Sequence, residues 1–117
     1  MKIYLAADHA GFELKEKAKQ FLTEKRYEFT DCGAFEFNKD DDYPDFISKA
    51  AEAVSENPKS FGIVFGKSGA GEAIVANKIR GIRAIQGFSD ENVKLSREDN
   101  NANILSLGTA FVEMEKA

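Results

Sequence analysis

Short apolar runs alternate along this chain with longer segments of helical period, and this alternation constrains the fold more than any other feature. Most of the runs are continuously apolar, which is typical of strands in a parallel sheet that is covered on both faces. The pattern therefore predicts an α/β fold with a five-stranded, mainly parallel sheet and helices on both faces. The predicted strands are 2–7, 27–33, 61–66, 81–87 and 102–108.

The segments between the predicted strands have the sequence features of helices. Pro44 suits the first turn of one helix, and Asp45 is favourable near that N-terminus. Ser89 can cap another helix. The predicted helices are 11–25, 45–56, a stretch from the glycine-rich segment to about 78, and 89–97. In the first of them, an apolar face opposite lysines and glutamates is expected from Phe12, Leu14, Ala18, Phe21 and Leu22.

Composition points to one soluble domain and excludes several classes of function. The chain has 117 residues, of which 43% are apolar and 31% are charged, as in ordinary globular proteins. A net charge of −4 argues against a nucleic-acid partner, and no apolar run approaches the ~20 residues that cross a bilayer. The start of the chain turns polar too early for a signal peptide. We therefore expect a cytoplasmic protein with no membrane or nucleic-acid partner.

Neither a disulfide nor a metal site is expected. The single cysteine, Cys32, cannot form an internal disulfide, and the chain lacks the Cys/His spacing of a metal site. An acidic run at 40–42 lies in a predicted polar loop over 34–44, where nothing completes a set of metal ligands. We interpret this run as part of a solvated loop.

Polar and glycine residues follow the predicted strands. In open parallel sheets, ligands bind outside the carboxyl ends of the strands, at the point where the strand order reverses. The segments 8–9, 66–72, 88–89 and 108–109 come directly after four of the strands. We expect them to face the same edge of the sheet and to form the binding site.

The segment FGKSGAGEA, residues 65–73, looks like a nucleotide loop but matches neither common motif. A Walker A loop needs G-x4-G-K-[ST], and Phe61 stands where the first glycine belongs. The dinucleotide pattern G-x-G-x-x-G does not fit the spacing of Gly66, Gly69 and Gly71. The sequence therefore gives no support for a nucleotide.

Glycines at a strand-to-helix turn nevertheless let backbone N–H groups converge, and the helix N-terminus adds positive potential. Such a loop suits a phosphate or a developing oxyanion. Glu72 is either a favourable charge at the helix start, which the loop alone favours, or a general base in a glycine-lined pocket. His9 is the only histidine, and Asp8 beside it can orient its ring, so we favour a functional role for it.

Five segments taken in order resemble the ribose-5-phosphate isomerase B / galactose-6-phosphate isomerase family. They are ADHAGFELK (7–15), DYPDF (42–46), GKSGAGEAIVANK (66–78), GIRA (81–84) and LSREDNNANILSLG (95–108). The resemblance implies a Rossmann-like three-layer sandwich, usually a dimer or tetramer with sites shared between subunits, and no metal or organic cofactor. It also implies an isomerase that interconverts aldose and ketose phosphates through a cis-enediolate. The expected substrates are ribose 5-phosphate and ribulose 5-phosphate, and the expected assembly is a homodimer.

The resemblance implies roles for single residues as well. In one branch of the family the base is a cysteine at the end of the third strand, where this chain has Gly66. In the other branch it is a glutamate after the glycine loop, and Glu72 falls on that position. Ser68 matches the residue that stabilises the enediolate together with the loop amides. The substrate contacts implied in this way are Asp8, His9, Tyr43, Gly66, Lys67, Gly69, Gly71 and Asn100.

The chain departs from the family pattern at three points. Asp99 stands where the family usually has a histidine assigned to ring opening, so Asp99 or His9 is expected to assist that step. Ala110 stands where an arginine usually helps to bind phosphate, which leaves Lys67 and Arg83 as possible substitutes. The family also continues into a further helix and an arginine-bearing tail. Residues 1–117 are accordingly expected to form a single isomerase domain without that tail.

Two other interpretations stay open. The departures from the family also fit a non-catalytic or weakly active module that binds sugar phosphates on the same fold. A receiver-like phosphoacceptor domain also has five βα units, but it needs a lysine after the fifth strand. Thr109 and Ala110 follow that strand here, so this third class ranks below the other two.

Overall fold

Strands and helices alternate throughout the computed structural model, which describes residues 2–33 and 43–110, with side chains from 45 onward in the second range. The elements are β1 (Lys2–Ala7), α1 (Phe12–Glu24), β2 (Glu28–Asp31), α2 (Tyr43–Glu56), β3 (Phe61–Gly66), α3 (Ala70–Asn77), β4 (Ala84–Gln86), α4 (Asp90–Asn100) and β5 (Ile104–Gly108). Each predicted strand and helix in these ranges is confirmed. The prediction made β4 too long and ended α4 three residues early. The acidic run at 40–42 lies outside the described residues.

The five strands form one parallel sheet in the order β2-β1-β3-β5-β4. From β1 the chain moves outward to β2 on one side, whereas from β3 it moves outward to β4 on the other. The strand order therefore reverses between β1 and β3. In doubly wound sheets this reversal opens a crevice at the carboxyl ends of the two strands.

Both faces of the sheet are covered by helices. On one face α2 and α3 pack on strand residues such as Val64 and Ile104, and on the other α1 packs on Leu5 and Phe65. Val64 and Phe65 are neighbours in β3 but belong to different cores, and both are fully buried. This is why the strands read as continuous apolar runs, and it confirms the predicted three-layer α/β sandwich.

The face of α1 differs in two places from the sequence prediction. Lys15 was expected on the solvent side but is fully buried, with its Nζ 2.7 and 2.9 Å from the two carboxylate oxygens of Asp31 at the end of β2. Phe21 was expected in the core but is 54% exposed. A charged pair therefore joins α1 to the edge strand β2, a contact that the sequence prediction did not include.

Helix α4 begins with a capping box. The Ser89 hydroxyl accepts a hydrogen bond from the Asn92 amide at 3.1 Å, and Asn92 Oδ1 accepts one from the Ser89 amide at 3.0 Å. This confirms the cap predicted at Ser89. Within the described ranges, no helix is both long enough and apolar enough to cross a membrane.

Candidate active site

The loop that joins β3 to α3 is pressed onto the end of β5. Its carbonyl oxygens at Gly66 and Lys67 accept hydrogen bonds from the amides of Thr109 and Ala110, both at 2.8 Å. A Cβ at Gly108 would lie 2.3 Å from the carbonyl carbon of Ser68, so a side chain there would push the loop away. The loop is thus fixed by backbone contacts along one side.

Gly69 gives the loop its turn into α3. Its φ of 82° lies in the left-handed region, which favours glycine. The Ser68 hydroxyl accepts a hydrogen bond from the Ala70 amide at 3.1 Å, at the start of the helix. Lys67 and Ser68 are both exposed, so their side chains are accessible to a ligand.

Glu72, in the first turn of α3, is turned inward. It is only 4% exposed, and a Cβ built on Gly66 would lie 2.2 and 2.6 Å from its two carboxylate oxygens. The carboxylate therefore fills the space that a side chain at position 66 would need. Its Oε1 is buried and has no hydrogen-bond partner among the described residues. This oxygen therefore keeps an unused capacity to accept a proton.

The surroundings of Glu72 raise the pKa of its carboxyl group above the ordinary value. Burial is the main cause, and the nearby negative charge of Asp8 acts in the same direction. The backbone amides of Glu72 and Gly69 oppose the rise because they stabilise the ionised form. A carboxylate whose proton affinity is raised in this way is a stronger base than an ordinary glutamate.

Asp8, directly after the end of β1, lies close to the Glu72 carboxylate. It is 7% exposed, its Oδ1 accepts a hydrogen bond from the Gly11 amide at 2.9 Å, and its own amide donates to the Phe65 carbonyl at 3.2 Å. His9 follows in the same turn and is partly buried. The structure therefore brings Asp8, His9 and the Glu72 loop together at the crevice between β1 and β3, as the sequence predicted.

The turn that carries Asp8 and His9 fits closely against β3. A Cβ at Gly11 would lie 2.4 Å from the carbonyl carbon of Phe65 and 2.7 Å from the amide nitrogen of Gly66. Only a residue without a side chain allows this approach. Gly11 thus sets the separation between the β1 turn and the strand end under Glu72.

Two predicted site residues, Asp99 and Asn100, lie far from Glu72 within one chain. Asp99 and Asn100 are exposed at the end of α4, which runs from the carboxyl end of β4 back to the edge where β5 begins. At that edge the Asn103 carbonyl accepts a hydrogen bond from the Gly62 amide at 2.9 Å, near the start of β3. Within one chain, Asp99 and Asn100 therefore lie near the amino ends of the strands, whereas Glu72 lies at the carboxyl ends. Their expected contacts with the substrate stay a prediction, because the site was expected to be shared between subunits.

Arg83, a possible phosphate ligand or a structural residue from the sequence, also lies away from the glycine loop within one chain. It precedes β4, and its Nε donates a hydrogen bond to the Asn101 carbonyl at 2.8 Å, at the same distant edge. Tyr43 begins α2, and its side chain lies outside the described residues. Ala110 lies beside the loop, as its hydrogen bond to Lys67 requires. Among the described residues, no group of three or more His, Cys, Asp or Glu side chains could hold a metal ion.

Two residues that contact the loop were missed by the sequence analysis. Gln86 and Ser106 lie on β4 and β5 and donate hydrogen bonds to loop carbonyls through their side chains. A serine inside an otherwise apolar strand run was the available signal for Ser106. Nothing in the sequence marked Gln86, because its role depends on which strand lies next to which.

These features define a doubly wound α/β protein with a buried carboxylate and a glycine loop at the topological switch point. Residues 3–117 match the family model described as Ribose/Galactose Isomerase, and the chain belongs to this family. The family resemblance seen in the sequence motifs is thereby confirmed.

Named relatives and solved structures agree with this assignment. The chain is 46% identical over 108 residues to ribose-5-phosphate isomerase B of Mycolicibacterium paratuberculosis, covering 92% of this chain and 68% of that protein. The structure of ribose-5-phosphate isomerase B from Mycoplasma genitalium with bound ribulose-5-phosphate superposes with a TM-score of 0.94 at 34% identity, covering 98% of this chain and 76% of that one. The Clostridium thermocellum ribose-5-phosphate isomerase B gives a TM-score of 0.93 at 41% identity, with 99% and 78% covered.

Proposed function

We propose that this protein is a sugar-phosphate isomerase that interconverts ribose 5-phosphate and ribulose 5-phosphate. The observation that carries the proposal is the Glu72 carboxylate, buried against Gly66 with one oxygen free to take a proton. The names of the relatives support the reaction, and the Mycoplasma genitalium protein was solved with ribulose-5-phosphate bound. No organic cofactor or metal is part of the proposal.

The reaction moves one hydrogen between carbons and one between oxygens. Glu72 takes the proton from C2 of the open-chain aldose, the C–H electron pair forms the C1=C2 double bond, and the C1 carbonyl oxygen becomes an enediolate oxygen. Glu72 then returns its proton to C1 while the C2 oxygen becomes the ketone carbonyl. Over the full reaction the hydroxyl proton at O2 is lost and one is gained at O1. A single base on one face of the substrate is enough for both carbon transfers.

The other site residues have supporting roles. The Ser68 hydroxyl and the loop amides are proposed to stabilise the enediolate oxygens, since preorganised donors act most strongly on charge that develops in the transition state. Asp8 and His9 would contact the sugar, and either His9 or Asp99 would assist ring opening. Lys67, the loop amides and His9 are the proposed ligands for the phosphate, and Gly66, Gly69, Gly71 and Tyr43 would line the pocket.

The test is to replace Glu72 by glutamine and to measure ribulose 5-phosphate formation together with exchange of the C2 proton with solvent. We expect kcat to fall by about 10²–10⁴-fold, the range for loss of a general base. Glu13→Gln is the matched control, because Glu13 is an exposed glutamate in the first turn of α1. If Glu72→Gln keeps wild-type turnover and proton exchange, Glu72 is not the base.

A second function, binding of a sugar phosphate without turnover, is favoured by two substitutions in the family pattern. Asp99 replaces the usual histidine and Ala110 the usual arginine. A purely binding protein would take up ribose 5-phosphate without exchanging its C2 proton, and its affinity would be unchanged by Glu72→Gln. The same proton-exchange measurement therefore separates the two functions.

We also infer a homodimer in which each site is completed by the partner subunit. Asp99 and Asn100 are exposed at the edge opposite to Glu72, so a second copy is needed to bring this pair to the loop. In this arrangement Asp99 would assist ring opening and Asn100 would bind substrate hydroxyls. The cytoplasmic location expected from the sequence stays a prediction.

A further inference from the structure

Every carbonyl oxygen of the glycine loop is held from the same side. The first two accept hydrogen bonds from backbone amides just after β5, as described above. The third, that of Ser68, accepts from Gln86 Nε2 at 3.1 Å, and the fourth, that of Gly69, accepts from Ser106 Oγ at 2.7 Å. These four donors lie on β4, on β5 or directly after β5. The Gly69 carbonyl also accepts the first hydrogen bond of α3, from the Ala73 amide at 3.0 Å. The first three carbonyls therefore point to the β5 side of the loop, and the fourth is shared between Ser106 and α3.

This arrangement fixes the direction of the loop amides. In a planar trans peptide, the N–H group points away from the carbonyl with which it shares the peptide unit. Because the first three carbonyls point towards β5, the amides of Lys67, Ser68 and Gly69 point towards β1, on the other side of β3. Asp8 and Glu72 lie on that side. The Gly69 amide agrees with this orientation, since it stabilises the ionised form of Glu72.

The burial of Ser106 is difficult to explain by packing. Its side chain is 0% exposed, in a strand that otherwise supplies apolar residues to the two cores. A buried hydroxyl is costly unless it forms a hydrogen bond, and an alanine would fill nearly the same space at less cost. The bond that Ser106 does form is the one to the Gly69 carbonyl. The serine is therefore best explained by its hydrogen bond to the Gly69 carbonyl of the loop.

Gln86 is held in place by its own contacts. It is the last residue of β4 and is half-buried, and its backbone carbonyl accepts a hydrogen bond from Asn92 Nδ2 at 2.8 Å. Asn92 belongs to the capping box of α4. The start of α4, the end of β4 and the loop are thus connected by two successive side-chain hydrogen bonds.

We propose that Ser106 and Gln86 are positioning residues of the isomerase, which hold the loop carbonyls so that the loop amides face the enediolate. Neither side chain would touch the substrate. The inference rests on the proposed function, since it concerns the transition state of that reaction. Loss of Gln86 would let the Ser68–Gly69 peptide unit rotate, and loss of Ser106 would leave the Gly69 carbonyl held by the Ala73 amide alone and loosen the turn at Gly69. In both cases donors that stabilise the developing charge would move out of line.

The test compares buried serines that differ only in the carbonyl they hold. Ser106→Ala removes the hydrogen bond to the loop, whereas Ser60→Ala removes an equivalent one, from Ser60 Oγ to the Asn57 carbonyl at 2.6 Å, before β3. Gln86→Met keeps the length of the side chain and removes its donor. For each variant we would measure kcat, KM and the affinity for a phosphorylated hydroxamate, which carries two adjacent oxygens as the enediolate does.

We expect Ser106→Ala and Gln86→Met to lower kcat by about 10-fold or more, with KM changed by less than about 2-fold. The affinity for the hydroxamate should fall in parallel with kcat. Ser60→Ala should leave all three quantities unchanged. If Ser106→Ala does not fold, Gln86→Met decides the question, because Gln86 is not in the core.

Two outcomes are separable. If the wild-type protein neither isomerises ribose 5-phosphate nor exchanges its C2 proton, the proposed function fails and the inference fails with it. If the wild-type protein is active and both variants keep kcat and hydroxamate affinity within about 2-fold of wild type, the positioning role alone is overturned. An equal loss of kcat in Ser60→Ala would also overturn it, since the effect would then come from stability.

Discussion

At the scale of single residues, the site depends on the absence of a side chain at position 66, which is a glycine. Gly66 ends β3, and the Glu72 carboxylate lies where the Cβ of any other residue would be. A cysteine at this position, the base implied by the resemblance for the other branch of the family, would occupy that space. A carboxylate base and a side chain at position 66 are therefore mutually exclusive in this backbone.

Gly66→Ala should consequently displace the base. Its Cβ would lie within 2.6 Å of three atoms of the Glu72 carboxylate, so the carboxylate must move, and a shift of about 1 Å can cost about 10²-fold in rate. The measurement is kcat for ribose 5-phosphate isomerisation. Gly62→Ala is the control in the same strand, because its Cβ meets only apolar side chains, the nearest at 3.1 Å. Equal kcat values for the two variants would contradict this account of Gly66.

The raised pKa of Glu72 has a consequence for stability. Because burial raises the folded-state pKa above that of the unfolded chain, the ionised carboxylate costs folding free energy. The penalty is absent below the unfolded pKa and is complete above the folded pKa. Glu72→Gln should therefore be more stable than wild type at pH 8, and the difference should shrink as the pH falls towards about 4, near the ordinary glutamate value. Urea unfolding at several pH values measures this, and a variant less stable than wild type at pH 8 would contradict it.

Asp8 should set the pH at which the enzyme becomes active. Its charge raises the pKa of Glu72, second to burial, so the ionised base is available only at higher pH. In Asp8→Asn, the acid limb of the profile of kcat/KM against pH should move to lower pH. The height of the profile will also fall if Asp8 contacts the sugar, so the position of the limb is the decisive quantity. An unmoved limb would mean that Asp8 does not act on the base.

At the scale of elements, α1 is joined to β2 by a buried charge pair. Burial alone would raise the pKa of Asp31, but hydrogen bonds from Lys15 and Lys19 outweigh it and hold the pKa below its usual value. The pair therefore stabilises the protein above the unfolded aspartate pKa, and this contribution is lost as the pH falls through the lower folded value.

Asp31→Leu should destabilise the protein by about 3–5 kcal/mol, because it removes the nearer carboxylate from the fully buried Lys15 and leaves Glu16 Oε2 at 3.8 Å as its remaining ion-pair partner among the pairs described. The double variant Lys15→Met/Asp31→Leu should recover most of this loss, since an apolar pair carries no desolvation penalty. Urea unfolding at neutral pH gives both values. If the double variant is no more stable than Asp31→Leu, the loss of the Asp31 charge beside Lys15 is not the cause.

The helices and strands also show which features of the fold and of the site could be predicted from the sequence and which could not. Strand and helix positions followed from periodicity, and the place of Asp8 and Glu72 followed from the rule for parallel sheets. Periodicity could not show that Lys15 is buried, because its partner lies on another element, 16 residues along the chain. Ser106 and Gln86 were missed for a related reason. Their contacts depend on β5 lying between β3 and β4, an order that the sequence pattern does not contain.

At the scale of the whole molecule, the two groups of predicted site residues lie at opposite edges of the sheet. Glu72 and Asp8 follow the carboxyl ends of strands, whereas Asp99 and Asn100 precede the start of β5. β3 alone has six residues and separates the two edges by roughly 20 Å. A ribose phosphate cannot span that distance. The two groups can act on one substrate only if a second chain supplies one of them.

Mixing two inactive variants tests whether the site is shared. If Asn100 acts on the partner's substrate, Glu72→Gln and Asn100→Ala homodimers are each impaired, but a mixed dimer has one site with both native residues. Random exchange of subunits makes half of the dimers mixed, each with one intact site, so about a quarter of wild-type activity should return. Mixing Glu72→Gln with Asp8→Asn is the control, because Glu72 and Asp8 lie together at the carboxyl ends of the strands of one chain. In that mixture each site of a mixed dimer keeps one altered residue, and no activity should return. If the first mixture shows no recovery while subunits are shown to exchange, Asn100 does not act on the partner's substrate. If the control also recovers activity, the recovery does not report a site shared through Asn100.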